Sequence, residues 1–372
     1  MSAGELSRAC QQHADCAAFF TSSSEKTFRM NRIALATPYT LPVYCGNSIL
    51  AERLRAGLGR RGLDLTVYNT GEHSPEDAVA AAPEILHTLN ADRTFYWAEQ
   101  FLSSCGIPWV ITFTGTDYNS WCGLHAPPPH ILTSLEQASA LVVFHEDVAE
   151  RLCDAVPKIG ARLMVIPQGV LPRISVDRNG VRDRIGIPRD ATVFLMAAGI
   201  RPVKNLGLAI EAFGEVEKRV PNGILLLAGP VMDNEEAAKV LAMGNALSSF
   251  SYLGARPPEE LREIMGAADV LLNTSHHEGM PGAILEAMSA GLPVIAAAVP
   301  GNAALIRHGE NGLLFAPGKR VELVEAVVRL AGESGLRARL GEAGRRIAEK
   351  DYPVDGELDG YCSLYASLLK QS

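Results

Sequence analysis

Two glutamates, Glu278 and Glu286, are separated by seven residues in the segment 275–290. The apolar run at 270–272 predicts a buried strand, the following glycines predict a tight turn, and the residues after the turn predict a helix. A turn between a strand and a helix presents unpaired backbone N–H groups and the positive end of the helix to an anion. Carboxylates on either side of the turn can accept hydrogen bonds from sugar hydroxyls. The segment therefore predicts a site for a sugar joined to a nucleoside diphosphate, formed by Glu278, Gly279, Met280, Pro281, Gly282, Ala283 and Glu286.

A simpler interpretation of the same spacing stays open. Glutamate is common in the first turn of helices, where it offsets the positive end of the helix. In that interpretation Glu278 only caps the helix, and Glu286 is an ordinary exposed helix residue.

Two cations follow the first apolar run of the second half of the chain. Gly199, Arg201 and Lys204 lie between the run at 193–198 and a predicted helix that begins near Asn205. Ligands of open α/β folds bind at the carboxyl ends of parallel strands. Arginine offers a planar fork to phosphate oxygens, and lysine offers a compact charge. We expect Arg201 and Lys204 to neutralise a departing diphosphate, although two solvated loop cations would have the same sequence.

The first half of the chain offers candidates for the acceptor side. Thr116 and Asp117 follow the predicted strand that begins at Trp109, and Asp117 is expected to orient an acceptor hydroxyl or to contact the donor sugar. A plain turn around the aspartate is an equally good interpretation. His145 could donate to the leaving phosphate or simply be packed. Gly46 and Asn47 open the first predicted helix, and Asn47 could line the acceptor cleft or serve as an N-cap.

Composition narrows the classes of protein. The 372 residues include 47% hydrophobic residues and carry a net charge of −8, which argues against a general nucleic-acid binder or permanent membrane association. The seven cysteines are dispersed without a C-x-x-C pair, which predicts reduced thiols in the cytoplasm. No D-x-D triplet occurs, and no metal site is expected. The oligomeric state stays open.

The order of apolar runs predicts an α/β fold. From residue 31 onward, short apolar runs alternate with amphipathic helical stretches, which is typical of parallel sheets covered on both faces. The segment 74–106 is expected to mix helix and loop. Strands are predicted at 33–37, 65–68, 109–113, 141–144, 163–167, 193–199, 223–229, 270–273, 293–296 and 312–315. We expect two doubly wound, Rossmann-like domains facing a central cleft. The predicted divisions are a flexible extension over 1–29, an acceptor domain over 30–172, a linker over 173–190, a donor domain over 191–350, and a C-terminal helix over 351–372 that could cross back to the first domain.

These motifs resemble the family 4 glycosyltransferases, which have the two-domain fold called GT-B. The E-x7-E segment, the stretch from Gly199 to Asn205 and the segment 309–315 carry the resemblance, which is closest to the glycosyltransferase 1 domain-containing protein group. The resemblance implies that Glu278 faces the donor sugar, that Glu286 holds the ribose hydroxyls and that the turn amides contact the diphosphate.

The resemblance also implies an activity. It implies metal-independent transfer of a glycosyl unit from a nucleotide sugar, with a UDP-sugar the expected donor, to an unidentified acceptor, with retention at the anomeric carbon. No permanently bound cofactor is expected. The catalytic residues carried over are Glu278, Arg201, Lys204 and Asp117.

Three other functions stay open on the sequence. One is an epimerase with the same fold, and another is a transferase that uses an unusual nucleophile such as selenium. The third is a non-enzymatic protein that binds nucleotide sugars. All four charged residues at 201, 204, 278 and 286 are present. This weighs against the non-enzymatic protein, because an active site that has lost its activity need not keep them.

Overall fold

The computed structural model describes residues 31–122 and 125–370, and within them two six-stranded parallel sheets form the framework. The strands of the first sheet are β1 (Arg32–Thr37), β2 (Asp64–Asn69), β3 (Ile85–Leu89), β4 (Trp109–Thr112), β5 (Ala140–Val143) and β6 (Leu163–Val165). They are ordered β2-β1-β3-β4-β5-β6. The chain therefore changes direction across the sheet between β1 and β3.

The second sheet has the Rossmann strand order. Its strands are β7 (Thr192–Ala197), β8 (Gly223–Ala228), β9 (Phe250–Tyr252), β10 (Val270–Asn273), β11 (Val294–Ala297) and β12 (Gly312–Phe315). They are ordered β12-β11-β10-β7-β8-β9, so the change of direction falls between β7 and β10. The prediction of two doubly wound domains facing a cleft is confirmed.

Helices cover both faces of each sheet. Those of the first half are α1 (Gly46–Gly59), α2 (Pro75–Ala80), α3 (Phe95–Ser104), α4 (Pro129–Gln137) and α5 (Glu146–Ala155). Those that follow are α6 (Arg178–Arg184), α7 (Leu206–Val216), α8 (Asn234–Gly244), α9 (Pro258–Ala267), α10 (Gly282–Ala290), α11 (Pro300–Ala303), α12 (Arg320–Gly332), α13 (Ser334–Asp351) and α14 (Val354–Leu369). In α1 the side chains of Leu50, Leu54 and Leu58 recur every four residues and are buried, which is why this stretch packs as an amphipathic helix.

The segment 74–106, which the sequence suggested was a mixture of helix and loop, contains a central strand. β3 pairs with both β1 and β4, and all five of its residues are buried. His87 and Thr88 interrupt its apolar pattern. His87 is bonded through one ring nitrogen to the Tyr365 hydroxyl (2.7 Å) and through the other to the Thr112 hydroxyl (2.8 Å). Burial lowers the pKa of His87 to about 3, so its ring is neutral.

Helix α14 lies against the first sheet although it ends the chain. The Tyr361 hydroxyl is 3.0 Å from the Thr112 hydroxyl. Arg53 of α1 makes a bidentate ion pair with the buried Glu357. These contacts attach α14 to the sheet and to helix α1 in the first half of the chain.

The expected linker at 173–190 includes helix α6, which is attached to the second half. Arg178 and Arg182 both pair with Asp269, and the Arg182 side chain is 2% exposed. The Asp269 carboxylate also accepts from the backbone N–H of Val193 (2.8 Å), at the start of β7. The expected extension at 1–29 lies outside the described residues.

Candidate active site

An ion pair joins the two loops that leave β7 and β10, the strands between which the second sheet changes direction. Lys204 Nζ lies 2.7 Å from Glu278 Oε1, and the two side chains are 17% and 9% exposed. Ligands of open α/β sheets bind at such a switch point, beyond the carboxyl ends of the strands. Arg201 and Lys204 on one loop and Glu278 on the other therefore meet where a ligand is expected.

All hydrogen bonds that the described residues donate to the Glu278 carboxylate go to one of its oxygens, Oε1. Oε1 accepts from Lys204 Nζ, from Asn273 Nδ2 (3.1 Å) and from the Ser275 hydroxyl (2.7 Å). Burial alone would raise the pKa of Glu278, but the Lys204 charge and the three hydrogen bonds outweigh it and lower the pKa below the ordinary value. Glu278 is therefore an ionised carboxylate whose second oxygen, Oε2, is available to a ligand.

Helix α10 begins just after this carboxylate, and the backbone N–H groups of Gly282 and Ala283 have no partner among the described residues. Its N-cap is Pro281, which supplies no side-chain cap. The backbone N–H groups of a first helical turn have no partner inside the helix, so they point at whatever lies beyond the N-terminus. Gly282 and Ala283 line the cleft at this end. The start of α10 is thus shaped to hold a phosphate group.

Glu286 lies one turn into α10 and also lines the cleft. Burial raises its pKa above the ordinary value, although the charges of Arg53 and Arg262 act in the opposite direction. No hydrogen bond to the Glu286 carboxylate occurs within the described part of the chain. Both of its oxygens can therefore accept from hydroxyl groups of a ligand.

Two guanidinium groups on this side of the cleft have an unused donor. The Nε atoms of Arg201 and Arg256 are buried and have no hydrogen-bond partner in the described structure. A buried donor without a partner is costly, so a ligand atom at this position would relieve that cost. Gly199 lies beside them, where a Cβ would meet the Met232 sulfur at 2.7 Å. We call the cleft-lining residues from Met196 to Glu286 the C-terminal wall.

The opposite side, which we call the N-terminal wall, comprises the cleft-lining residues from Tyr39 to Gln168. Arg93 donates to the Tyr39 hydroxyl (2.6 Å) and lies over its ring, which joins the loops that follow β1 and β3. Asn90 donates to the hydroxyls of Thr114 (3.0 Å) and Thr116 (2.9 Å). The switch point of the first sheet therefore faces that of the second sheet across the cleft.

The two walls touch at a pair of glycines. A Cβ on Gly279 would lie 2.8 Å from the Cα of Gly115, and Asn119 Nδ2 donates to the Glu278 carbonyl (3.2 Å). Gly115 has φ +118°, a backbone region that disfavours other residues. Only glycines allow the backbones to approach this closely beside the Glu278 carboxylate.

Asp117 does not line the cleft, contrary to the expectation that it touches a sugar. Its side chain is buried, and its oxygens accept from the backbone N–H groups of Ala91 (2.9 Å), Thr114 (3.1 Å) and Gly115 (2.8 Å). Burial raises the pKa of Asp117 to about 6, while these amide bonds favour the ionised form. The structure corrects its role to that of holding the turn that carries Thr114 and Thr116.

His145 is likewise absent from the cleft lining. It is the N-cap of α5, and its Nδ1 accepts from the Asp147 backbone N–H (3.2 Å). The open alternative of a structural histidine is therefore the one that the geometry supports. Gly46 and Asn47 do line the cleft, at the start of α1, whose N-cap is Cys45.

The cleft also contains side chains that the sequence did not indicate. The structure adds Tyr39, Arg53, Asn90, Arg93, Gln168 and Arg256 to the lining. Asn90 and Arg256 each follow a strand, β3 or β9, that was not recognised in the sequence. Recognition of those strands would have placed both residues at a ligand-binding edge.

Within residues 31–122 and 125–370 no group of three acidic, histidine or cysteine side chains is placed to hold a metal ion. The same residues contain no helix with the length and hydropathy that crossing a bilayer requires.

Comparison with known families supports this description of the second half. The sequence pattern of the family described as "Glycosyl transferases group 1" matches residues 177–347. The chain is also 27% identical over 341 residues to glycosyltransferase 1 domain-containing protein 1 of Xenopus tropicalis, a match that covers 88% of this chain and 96% of that protein.

Solved structures share the fold over nearly the whole chain. Anabaena HepE, crystallised in complex with UDP and glucose, superposes with a TM-score of 0.74 at 18% identity, covering 91% of this chain and 100% of HepE. Sucrose-phosphate synthase from Thermosynechococcus elongatus superposes with a TM-score of 0.76 at 20% identity, covering 92% of this chain and 100% of that enzyme. Residues 177–347 thus match the family of group 1 glycosyltransferases, in a chain whose two facing sheets form the GT-B fold.

Proposed function

We propose that this glycosyltransferase moves a sugar from a nucleoside diphosphate to a hydroxyl-bearing acceptor with retention of anomeric configuration. One observation carries the proposal. One cleft is lined by the Lys204–Glu278 ion pair, by the start of α10 and by the Glu286 carboxylate. Pro281 gives α10 no side-chain cap, and no described residue donates a hydrogen bond to Glu286. A cation, free amides and two acceptor carboxylates are the groups that a nucleotide sugar requires.

The C-terminal wall would hold the nucleotide diphosphate. The amides of Gly282 and Ala283 and the charges of Arg201 and Lys204 neutralise the phosphates as the bond to the sugar breaks. Preorganised donors of this kind stabilise the charge that develops on a leaving group. Glu286, one turn further along α10, accepts hydrogen bonds from the ribose hydroxyls.

Glu278 would hold the transferred sugar through its second oxygen. Lys204, Asn273 and Ser275 fix the carboxylate through Oε1, so Oε2 keeps one position and can accept from a sugar hydroxyl. Holding reactants in a fixed geometry supplies a large share of a transferase's rate enhancement.

Retention is supported by what lines the acceptor side. The described residues of the N-terminal wall include neither a carboxylate nor an imidazole. Inversion needs a base on the face opposite the leaving group. Without one, the departing diphosphate oxygen takes the acceptor proton on the same face as it leaves. Tyr39, Asn47, Arg93 and Thr116 are left to bind the acceptor.

UDP is the proposed nucleotide. HepE, which shares the fold at 17% identity, was also crystallised in complex with UDP-glucose. Arg201 and Arg256 line the cleft, and their guanidinium groups would contact the nucleotide of such a donor.

Thermal unfolding in the presence of UDP-, GDP- and ADP-sugars tests the nucleotide proposal. A ligand that binds the native state raises the unfolding midpoint in proportion to its occupancy. We expect UDP-sugars to stabilise the wild-type chain and the Glu286→Gln variant to lose most of that shift. Absence of stabilisation by every nucleotide would contradict nucleotide-sugar binding.

Product analysis tests the reaction itself. With an accepted donor and an acceptor panel, the new glycosidic bond should have the anomeric configuration of the donor, as read by proton NMR coupling constants. UDP release without any acceptor dependence would instead favour an epimerase or a hydrolase. A product of inverted configuration would reject retention while leaving the donor site intact.

A further inference from the structure

A second chamber opens beside the cleft, next to Glu286. Its volume is about 990 Å³, and its walls come from α1, the segment 170–178, α9 and α10. It includes neither Lys204 nor Glu278, and the residues that it shares with the cleft are Tyr44, Ile49, Arg53, Pro258 and Glu286. The chamber is therefore a neighbour of the transfer site rather than a part of it.

Arginines dominate the charged lining of this chamber. Arg53 and Arg178 are paired with Glu357 and Asp269 respectively. The other three, Arg60, Arg173 and Arg262, have no carboxylate within 4.0 Å in the described part of the chain. Guanidinium groups elsewhere on the surface, such as those of Arg219 and Arg345, do form such pairs.

The acidic groups of the lining do not cancel these three charges. Glu52 is paired with Arg55, which leaves Glu259 and Glu286. Glu286 faces Arg53 and Arg262, both of which favour its ionised form. Three arginines without ion pairs therefore face two carboxylates, one of which also belongs to the cleft.

The rest of the lining is apolar. Leu41 and Leu171 are 40% and 41% exposed, and Ile174, Val176 and Met265 also contribute to the wall. Exposed leucines beside arginines that lack a carboxylate partner suit a small organic ligand that carries an anionic group.

We propose that this chamber binds a phosphomonoester, with Arg60, Arg173 and Arg262 contacting the phosphate. The planar guanidinium fork matches phosphate oxygens, and a dianionic phosphomonoester balances a cluster that lacks carboxylate partners. The chamber lies on the ribose side of the proposed donor site, away from Glu278. If the proposed function holds, its ligand is a second ligand and not the acceptor.

Binding in the chamber should be coupled to nucleotide binding. Arg53 and Glu286 line both spaces, so a ligand that moves either group changes the ribose contacts of the donor. Coupling between two sites is reciprocal, so UDP must change the affinity for the phosphomonoester by the same factor in return.

Calorimetric titration of the full chain tests the proposal with two sources of one chemistry. Glycerol 3-phosphate is the soluble probe, and phosphatidylcholine vesicles containing phosphatidic acid present a lipid-bound phosphomonoester. Glycerol and pure phosphatidylcholine vesicles are the uncharged controls. Titrations are run with and without saturating UDP, which separates chamber binding from occupation of the nucleotide site.

We expect one phosphomonoester probe to bind while UDP is present and its uncharged counterpart to be silent. The Arg173→Gln/Arg262→Gln variant should bind that probe roughly tenfold or more weakly. The single Arg60→Gln variant, whose side chain is exposed, guards against misfolding of the double variant. Arg339→Gln, which changes an arginine outside both cavities, should match the wild type.

Three results would overturn the proposal. They are silence of both phosphomonoester probes, complete displacement of the probe by UDP, and equal affinity in the wild type and the arginine variants. None of them bears on sugar transfer, which is measured separately. Loss of transfer with intact chamber binding would reject the proposed function alone.

Discussion

The two walls of the cleft differ in how far their charged side chains are already committed to the protein. On the C-terminal wall, Glu286 and the Glu278 Oε2 have no protein partner in the described structure, and Arg201 has a buried, unused donor. Beside the N-terminal wall, both oxygens of Asp117 accept from backbone N–H groups, and His145 Nδ1 accepts from the Asp147 backbone N–H. Polar residues that follow strands in both halves of the sequence therefore differ in whether the protein itself already binds them.

The two walls therefore differ in the kind of interaction that they offer to a ligand. The C-terminal wall has charged side chains at the ends of β7 and β10, where they can bind a diphosphate and two sugar rings. The N-terminal wall presents hydroxyl, amide and aromatic groups together with the guanidinium groups of Arg53 and Arg93. We therefore expect donor recognition to be electrostatic and acceptor recognition to rely on hydrogen bonds and shape.

The largest expected effect is the loss of turnover in Lys204→Ala. Removing a preorganised charge that stabilises the leaving group costs about 3–4 kcal/mol, or a factor of roughly 10²–10³ in kcat. Steady-state kinetics with the accepted UDP-sugar measures it, and circular dichroism should show a folded chain. Lys239→Ala, in an exposed ion pair, is the matched control. Wild-type activity in Lys204→Ala would remove the C-terminal wall from the mechanism.

Asp117→Asn should destabilise the chain by about 1–3 kcal/mol at pH 8, where the native carboxylate is ionised. An asparagine amide would turn one NH₂ group towards backbone N–H donors that now bond to carboxylate oxygens. A lowered thermal unfolding midpoint, with kcat of the folded enzyme retained within a few-fold, is the expected pattern. Full stability together with lost turnover would restore Asp117 to a direct role.

Glu286→Gln should raise the KM for the donor about tenfold or more and change kcat less. A hydrogen bond to a charged acceptor contributes about 1.5–3 kcal/mol, and glutamine provides only one neutral acceptor. The 2′-deoxyribose form of the donor checks the assignment, because it should be a poor substrate for the wild type and lose little more in the variant. Additive losses would show that Glu286 binds something other than the ribose.

The Lys204–Glu278 pair should also make stability depend on pH. The pKa of Glu278 is lowered on folding, so its contribution is present above the unfolded pKa near 4.5 and is lost as pH falls through the folded value. We expect Lys204→Ala to unfold at a lower temperature than wild type at pH 7, by an amount corresponding to about 1–2 kcal/mol. The gap should narrow below pH 4.5, and a constant gap would mean that the pair is not the cause.

The smallest expected effect is that of His145→Ala. Loss of an N-cap costs about 1 kcal/mol or less at a partly exposed site. The unfolding midpoint should fall slightly, while kcat and both KM values stay unchanged. A large fall in kcat would show that the imidazole reaches the cleft in the working enzyme.

The sequence was sufficient to predict most of the architecture and the charged half of the site. Apolar runs predicted ten of the twelve strands that the described residues form, and the glycines after Glu278 predicted the turn that leads into α10. Those features are local, since periodicity and turn chemistry are contained in a few consecutive residues.

The rest depends on distant contacts. The pattern of β3 is broken by His87, which is acceptable in a core only because Thr112 and Tyr365 satisfy its ring nitrogens from elsewhere in the chain. Asp117 looks catalytic in isolation, and only the fold shows that three amides enclose its carboxylate. Strand β9 is just three residues long, too short for a periodic signal.

Helix α14 has a consequence for how the protein forms during synthesis. His87 and Thr112 are made early on the ribosome, whereas the tyrosine hydroxyls that complete their hydrogen bonds belong to the final helix. A nascent first sheet would therefore hold an imidazole with one unpaired nitrogen in its centre until α14 has been synthesised. The first sheet then becomes fully native only after the second sheet has been synthesised, so the N-terminal wall and the C-terminal wall are completed together.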